Sequence, residues 1–537
     1  MQSIWLISRE YAGIAEAGGV KNVSCSLCEG LVRRGTRTML FIPLYACTVL
    51  DAVDSFTELT DYCRIHIAGH DHHVGWARGV MNGVDIVFII SSLFSSRMGV
   101  YTYTKEEELR DPSCRRGEGH RETLEMNVLF ERAVLEYGVR FPDTVPHMIH
   151  CQDAAAALVP VLARRCREYA AVFADTQFVV TIHNAGPGYH HAFDNTETAC
   201  RLTGLSSDCI AGGINAQSGA VEPFLLCAPY ACLTTVSPWY AYEIRNPANQ
   251  DTGGLSQEFS RRGVRVIGIT NGIDIDRYDP EYPEKSLLTY PFSPENKDLD
   301  GKYRCRADFI ERHRECIQAY DGVEQNGFIL EPEPDTVWFS YHGRLVRQKG
   351  LFVLASAIEE LLPRHPEFRF VINGQGEAVL EERYQYLASR FPGRCLYFRG
   401  YHRSLARLCT AVADFLVLPS DFEPCGLEDF IAQLFGSIPI AHATGGLNKI
   451  IHGETGYLYH PNTEQKLAAV LAECARRFIG DREFNLEIIA QAAMFVRYTY
   501  SWDEVISRKY IPLYRWLYGR TAGQTAEPAE SLKANLL

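Results

Sequence analysis

Short apolar, β-branched runs recur along most of the chain, with helix-like stretches between many of them. They include MLFIP, DIVFII, MIHC, FVVTIH, LTTVS and VIGIT in the first half, and VWFSYHG, FRFVING, LYFRG, FLVLPS and IPIAH in the second. Runs that are apolar throughout are typical of strands covered on both faces, so this rhythm predicts βα units and parallel sheets. The pair Asn82-Gly83 lies between two such runs and predicts a tight hairpin, hence an antiparallel insertion.

The length of 537 residues exceeds what one hydrophobic core usually organises, so we expect two domains. A polar, proline-containing stretch after the segment NGID marks the junction region. We expect an N-terminal domain over residues 1–264, a C-terminal domain over 265–495 and a helical segment over 496–520. The tail 521–537 is rich in Ala, Glu and Ser without a clear buried face, which predicts disorder.

Composition and charge exclude several classes of protein. The formal net charge of -13 argues against a nucleic-acid partner, because basic patches supply most of that affinity. There is no signal-peptide pattern after Met1, and no apolar stretch approaches ~20 residues, so we expect a cytoplasmic protein without a membrane partner. The 17 cysteines suit a reducing compartment, and the one CxxC, Cys25 to Cys28, is interpreted as buried structure rather than a redox or zinc site.

The most informative local segment is DFEPCGL, residues 421–427, directly after the strand-like run FLVLPS. Where a strand meets a helix in an open α/β sheet, the amides at the helix N-terminus point to a ligand and favour negative charge. A second glycine-containing segment, TGGL, follows at residues 444–447. Each segment alone is equally compatible with an ordinary turn.

Taken together, these segments resemble the nucleotide-sugar site of the glycogen and starch synthases. Further stretches are similar to motifs of that family: YHGRLVRQKGL to GRLxxQKG, TIHNAGPG to TIHN, LTTVSPWYAYEI to TTVSPTYAREI, ITNGID to LNGID, SREYAGIAEAGGVKNV to the KxGGLxDV loop, HCQDAAAALVP to HxHDWHxxLxP and YSWDEV to SWD. The resemblance therefore extends over residues 2–518 and both expected domains.

This resemblance implies an α/β fold of the GT-B type, in which two Rossmann-like domains with parallel sheets face each other across a cleft. The N-terminal domain would be the acceptor side and the C-terminal domain the donor side, with a C-terminal helix crossing back to the first domain. The implied reaction is retaining transfer of glucose from ADP-glucose, or from UDP-glucose as the less favoured donor, to the non-reducing end of an α-1,4-glucan. The resemblance calls for no metal and no cofactor.

The resemblance also implies roles for individual residues. Arg344 and Lys349 would offset the negative charge that builds on the departing diphosphate, since fixed cations there lower the barrier. Glu423 and His183 would face the donor glucose as the other catalytic residues, and Asp153 would act on the acceptor side. The implied donor-binding residues are Gly18, Gly19, Asn271, Tyr401, Cys425, Gly426, Leu427, Thr444, Gly445 and Gly446.

Several positions depart from the family pattern. Glu16 replaces the lysine of KxGG, and opposite charges beside a diphosphate differ by several kcal/mol even at an effective dielectric of ~20, so Glu16 must point away or be paired. Lys21 is a candidate substitute for the missing cation. The other departures are Asn22, Gln152, Ala154, Ala155 and Glu428. They leave two alternatives open: a GT-B glucosyltransferase with another acceptor, such as a small sugar, and a glucan-binding paralogue without transfer activity.

Overall fold

The computed structural model describes residues 3–315, 320–330 and 335–519, and the chain divides into two compact units. One unit contains the residues up to Asn271 together with those from Val505 on, and the other contains Gly272–Glu504. This division lies shortly after the junction expected between residues 264 and 265. The tail expected to be disordered, 521–537, lies outside the described residues.

The sheet of the first unit has nine strands within the described residues. Their bounds are β1 Ile4–Ile7, β2 Thr38–Pro43, β3 Asp54–Ile67, β4 His70–Met81, β5 Val84–Ile90, β6 Met148–Gln152, β7 Gln177–Ile182, β8 Cys232–Thr235 and β9 Val266–Gly268. They lie in the order β3-β4-β5-β2-β1-β6-β7-β8-β9. Neighbouring strands in the part of the sheet ordered β5-β2-β1-β6-β7-β8-β9 are parallel. The pairs β3 with β4 and β4 with β5 are antiparallel. The predicted parallel sheet with an antiparallel insertion is thus confirmed.

The turn between β4 and β5 explains the insertion. Asn82 and Gly83 both have positive φ, 51° and 78°, which is the geometry a two-residue hairpin needs. A second hairpin, at Ala68 and Gly69, joins β3 to β4 and was not predicted. Most of β3 is exposed at the sheet edge, so its sequence carries no apolar run.

The sheet of the second unit has seven strands within the described residues. Their bounds are β10 Glu324–Asn326, β11 Val337–His342, β12 Phe368–Gly374, β13 Cys395–Arg399, β14 Phe415–Leu418, β15 Ile438–His442 and β16 Tyr457–Tyr459. They lie in the order β10-β13-β12-β11-β14-β15-β16. Among these described strands, β10 pairs antiparallel with β13 and the other pairs are parallel. Every residue of β12 and β14 is buried, as expected for parallel strands covered by helices on both faces.

Helices follow most strands in both units. Their bounds are α1 Val20–Arg33, α2 Ser92–Ser95, α3 Lys105–Arg110, α4 Thr123–Arg140, α5 Val159–Arg165, α6 Arg167–Ala170, α7 Thr196–Thr203, α8 Ser207–Ile210, α9 Pro223–Cys227, α10 Pro238–Glu243, α11 Leu255–Arg261, α12 Ile275–Tyr278, α13 Pro283–Ser286, α14 Asp300–His313, α15 Leu351–Leu361, α16 Ala378–Arg390, α17 Arg403–Val412, α18 Glu428–Leu434, α19 Glu464–Gly480, α20 Arg482–Phe495, α21 Trp502–Val505 and α22 Ile511–Tyr518. None of these described helices is long and apolar enough to span a bilayer.

The C-terminal helix α22 packs on the N-terminal sheet, as the implied crossing-back helix requires. The hydroxyl of Tyr514 lies 2.8 Å from Nδ1 of His150, a fully buried residue of β6. The other ring nitrogen of His150 lies 2.6 Å from the hydroxyl of Thr181 on β7. The buried side chain of His150 therefore connects β6 and β7 of the first unit to α22.

Candidate functional site

Polar side chains collect at the carboxyl ends of three neighbouring parallel strands of the first unit. Glu10 follows β1, Gln152 and Asp153 lie at the end of β6, and His183 follows β7. Because β1, β6 and β7 are adjacent and parallel, these residues share the edge of the sheet at which α/β proteins bind ligands. The structure thus brings Asp153, expected on the acceptor side, and His183, expected to face the donor glucose, to the same edge of this sheet.

Asp153 is held in a backbone conformation that side chains rarely adopt. Its φ of 65° and ψ of −178° fall in a region that is essentially reserved for glycine and costs about 1–3 kcal/mol. Its Oδ1 accepts a hydrogen bond from the backbone N–H of His183 at 3.3 Å. Burial raises the pKa of Asp153 to about 7, and the nearby charge of Glu10 adds to this effect. The carboxyl group can therefore change protonation state near neutral pH.

His183 is neutral at physiological pH. Burial lowers the pKa of its imidazole to about 4. Its Nε2 lies 2.8 Å from Oε1 of Gln152, so with that oxygen as acceptor the ring proton is on Nε2 and Nδ1 is left as an acceptor. The amide nitrogen Nε2 of Gln152 is buried and has no hydrogen-bond partner among the described residues, which leaves it available to a ligand.

Glu10 organises the glycine loop that precedes α1. Its Oε2 accepts hydrogen bonds from the backbone N–H groups of Ala17, at 3.0 Å, and Gly18, at 2.5 Å. Burial raises the pKa of Glu10, and those two amides oppose the shift. The amide of Gly18, predicted to lie against a donor, is therefore occupied by an internal carboxylate in this structure. The sequence analysis did not single out Glu10, although its place directly after β1 is a signal that could have identified it.

Glu16, the most serious departure from the expected pattern, is paired. Its Oε2 lies 2.9 Å from Nζ of Lys21 in the first turn of α1, and its Oε1 accepts from the backbone N–H of Gly13 at 2.8 Å. The requirement that this anion be paired or turned away is thus met by pairing. Lys21, the candidate substitute cation, is engaged by Glu16 rather than standing alone.

In the second unit, Lys349 and Glu423 meet at the carboxyl ends of β11 and β14. Nζ of Lys349 donates to Oε2 of Glu423 at 2.5 Å, although 74 positions separate the two residues. Gly350 makes this approach possible, because a Cβ there would lie 1.7 Å from the carbonyl oxygen of Pro419. Arg344, also beyond β11, is exposed, and no described residue forms an ion pair with its guanidinium.

The segments DFEPCGL and TGGL pack backbone against backbone. The N–H of Gly446 donates to the carbonyl of Glu423 at 2.8 Å, and a Cβ on Gly446 would lie 2.1 Å from the carbonyl oxygen of Cys425. The hydroxyl of Thr444 donates to the carbonyl of Asp421 at 3.1 Å. These contacts group most of the predicted donor-binding residues: Cys425, Gly426, Leu427, Thr444, Gly445 and Gly446.

The remaining predicted donor-binding residues belong to other segments of the chain. Tyr401 follows β13 and its side chain is 66% exposed, so one face of the ring is open to a partner. Asn271 is buried, and its Oδ1 has no hydrogen-bond partner among the described residues. Gly19 is the residue directly before α1.

Glu428, another departure, is paired with a histidine that the sequence analysis missed. Its Oε2 contacts Nε2 of His342, the last residue of β11, and the other ring nitrogen lies 2.9 Å from the hydroxyl of Thr410. Burial opposes the charged imidazole, yet the Glu428 carboxylate raises the pKa of His342 above its ordinary value. The extra carboxylate at residue 428 is therefore paired, within the same unit, with an imidazole whose protonation it favours.

Comparisons with known proteins agree with this arrangement. Residues 3–260 match the starch synthase catalytic domain family, and residues 336–477 match the family described as glycosyl transferases group 1. A glycogen synthase from Thermodesulfovibrio yellowstonii is 29% identical, covering 97% of this chain and 99% of its own. A glycogen synthase from Anaeromyxobacter sp. is also 29% identical, covering 96% and 99%. The chain is thus similar to the glycogen and starch synthases in both of its units.

The solved structures confirm the GT-B fold. The catalytic domain of starch synthase IV from Arabidopsis thaliana, bound to ADP and acarbose, matches with a TM-score of 0.77 at 23% identity, covering 97% of this chain and 100% of that one. A sucrose-phosphate synthase from Thermosynechococcus elongatus matches more loosely, with a TM-score of 0.54 at 16% identity over 97% of this chain and 100% of that one.

The chain therefore combines motifs similar to those of the glycogen and starch synthases with charge changes that are paired within the structure. Glu16 and Glu428 each add a carboxylate, and each is paired within its own unit, Glu16 with Lys21 and Glu428 with the imidazole of His342. Ala154 and Ala155, which stand at the tryptophan and histidine of the family tetrad, are both buried. The roles of the predicted site residues stay predictions.

Proposed function

We propose that the protein is a glycogen synthase that transfers glucose, with retention of anomeric configuration, from ADP-glucose to the non-reducing end of an α-1,4-glucan. The observation that carries the proposal is the contact between Lys349 and Glu423, which places a cation and an acid at one point among the donor motifs. Relatives named glycogen synthase that align over nearly the whole chain support it. UDP-glucose is the less favoured donor.

On the donor side, the proposed chemistry follows from charge. Breaking the glycosyl phosphate bond builds negative charge on the diphosphate, and Arg344 and Lys349 would stabilise it as a guanidinium fork and a point charge. While the contact with Lys349 holds Oε2 of Glu423 in place, its Oε1 would orient the hydroxyls of glucose, and the remaining protons of the Lys349 ammonium would face a phosphate. The ring of Tyr401 would stack on adenine, while the amides of Gly426 and Leu427 hold donor oxygens.

On the acceptor side, Asp153 would hold the attacking 4-hydroxyl of the glucan. Its pKa of about 7 lets the ionised form accept that hydrogen bond at neutral pH. His183 would contact the transferred glucose as a neutral imidazole, consistent with its pKa of about 4. The side-chain Nε2 of Gln152 and Oδ1 of Asn271, which no described residue hydrogen-bonds, offer further partners to sugar hydroxyls.

The remaining assignments belong to the same proposal. Residues 1–264 would form the acceptor-side domain, and 265–495 the donor-side domain. A nucleotide sugar and an α-glucan would be the partners, with no nucleic acid among them, as the net charge of -13 favours. We place the protein in the cytoplasm.

The test is a transfer assay with the purified full-length protein. Labelled ADP-glucose or UDP-glucose is incubated with glycogen, or with small sugars, and the polymer is digested afterwards with a β-amylase. We expect label in glycogen from ADP-glucose that β-amylase releases as maltose. Label confined to small sugars would establish the alternative acceptor, and tight glucan binding without transfer would establish the non-catalytic paralogue. The pairing of Glu16 with Lys21 and of Glu428 with His342 favours an active enzyme over the latter.

A further inference from the structure

A buried ion pair joins the two donor segments of the second unit, and no step of the proposed reaction uses it. Lys449 comes two residues after TGGL, and Asp429 lies in the first turn of α18, two residues after EPCGL. Their Nζ and Oδ1 atoms are 3.0 Å apart, and the side chains are 1% and 0% exposed. Charges this deeply buried are destabilising unless nearly every proton and lone pair has a partner.

The ammonium of Lys449 is surrounded by backbone carbonyls. Besides Asp429, its Nζ donates to the carbonyl oxygens of Cys425 at 2.7 Å, Gly426 at 2.9 Å and Gly446 at 3.2 Å. It also lies 4.5 Å from the centroid of the Phe430 ring. One side chain therefore binds the backbone of both segments at once.

These bonds fix the direction of the neighbouring amides. A trans peptide is planar, with its C=O and its N–H pointing in opposite directions. Holding the carbonyls of Cys425 and Gly426 toward Lys449 therefore turns the N–H groups of Gly426 and Leu427 away from it. Those are the two amides to which the proposed function assigns donor oxygens.

We propose that Lys449, held by Asp429, is a positioning residue for the donor: it orients the amides of Gly426 and Leu427 and keeps the turn at Gly446 against them. The inference rests on the proposed function for the identity of the ligand. Lys449 itself touches no reacting atom, because its protons are directed to the protein backbone and to Asp429.

The same two strands supply a matched control at their opposite ends. Lys302 of α14 is 0% exposed, and its Nζ donates to the carbonyls of Ala411 and Ala413, both at 2.6 Å, and to the hydroxyl of Ser437 at 3.0 Å. Ala413 and Ser437 precede β14 and β15, whereas the donor segments follow them. Lys302 thus resembles Lys449 in burial and bonding but lies away from the donor segments.

The decisive variant is Lys449→Met combined with Asp429→Asn, which removes the ammonium without leaving an unpaired buried carboxylate. We expect its KM for ADP-glucose to rise about tenfold or more, with the KM for glycogen unchanged within about twofold, because a displaced positioning group affects the ligand it orients. The control Lys302→Met is expected to lower the melting temperature and leave the KM for ADP-glucose unchanged. A folded double variant with the wild-type KM for ADP-glucose, or a control that raises it equally, would overturn the proposal.

Hydrogen exchange of the full-length protein gives a readout that does not depend on activity. In the double variant, residues 423–429 and 444–449 are expected to exchange faster together, whereas Lys302→Met leaves both segments as in the wild type. If the wild-type protein transfers no glucose, the proposed function fails while exchange still decides the role of Lys449, and unchanged exchange overturns it. Should the double variant not fold, the KM for ADP-glucose and hydrogen exchange are measured on Asp429→Asn alone.

Discussion

Replacing Lys349 with methionine tests the charge contact on which the donor chemistry depends. An ammonium ~4 Å from a phosphate at an effective dielectric of ~20 contributes about 4 kcal/mol. Loss of one transition-state contact of this kind typically lowers kcat by about 10²–10³, or about 2.7–4 kcal/mol. We therefore expect Lys349→Met to reduce kcat by that factor, measured as initial rates of glucose incorporation at saturating donor and glycogen.

The contact between Lys349 and Glu423 adds a second, sharper expectation. Their side chains are only 22% and 17% exposed, and without Lys349 the carboxylate keeps only the hydroxyl of Ser420 at 3.4 Å as a hydrogen-bond donor among the described residues. Because the carboxylate of Glu423 is no longer held in place in Lys349→Met, adding Glu423→Gln to that variant should lower kcat little further. A double-mutant cycle on kcat should give a coupling energy of about 1.5–3 kcal/mol.

Arg344 supplies the control for this cycle. No described residue pairs with its guanidinium, so Arg344→Met should lower kcat without displacing Glu423, and its coupling energy with Glu423→Gln should be the smaller of the two. A wild-type kcat in Lys349→Met, or losses from Lys349→Met and Glu423→Gln that simply multiply, would refute the reasoning.

Three further outcomes follow from individual contacts. Gly350→Ala should destabilise the protein by at least about 2 kcal/mol in urea unfolding, because φ is 66° and the new Cβ meets the Pro419 carbonyl; an unchanged transition would contradict that approach. Tyr514→Phe should lower the free energy of unfolding by about 1–3 kcal/mol, since Nδ1 of buried His150 loses its hydrogen-bond partner, and calorimetry checks this. Burial raises the pKa of Asp153 to about 7, so the folded protein binds more protons than the unfolded chain between about pH 4 and 7, and its stability falls as pH rises through that window. The free energy of unfolding of Asp153→Asn, relative to that of the wild type, should therefore be higher at pH 8 than at pH 4. The same pH dependence of stability in both proteins would argue against this expectation.

The motif segments of the second unit show which structural features can be predicted from residues that are close in sequence. FRFVING and FLVL are buried throughout as β12 and β14, because a run without polar interruption fits only a strand covered on both faces. The segments that follow β14 and β15 then share one edge of the sheet as a consequence of parallel pairing. Such features depend on neighbours along the chain, so a single sequence contains them. The edge strand β3 was missed, since its mostly exposed face needs no apolar pattern.

The amino-acid sequence alone determined the α/β class, the hairpin at Asn82-Gly83 and which segments carry the donor motifs. Only the tertiary structure decided which carboxylates are paired: Glu16 with Lys21, Glu428 with His342, and Asp429 with Lys449. Glu16 lies close to its partner in sequence, yet only the turn into α1 brings their side chains together. The other pairs join separate elements, and whether a carboxylate is neutralised depends on distances and burial that folding alone creates.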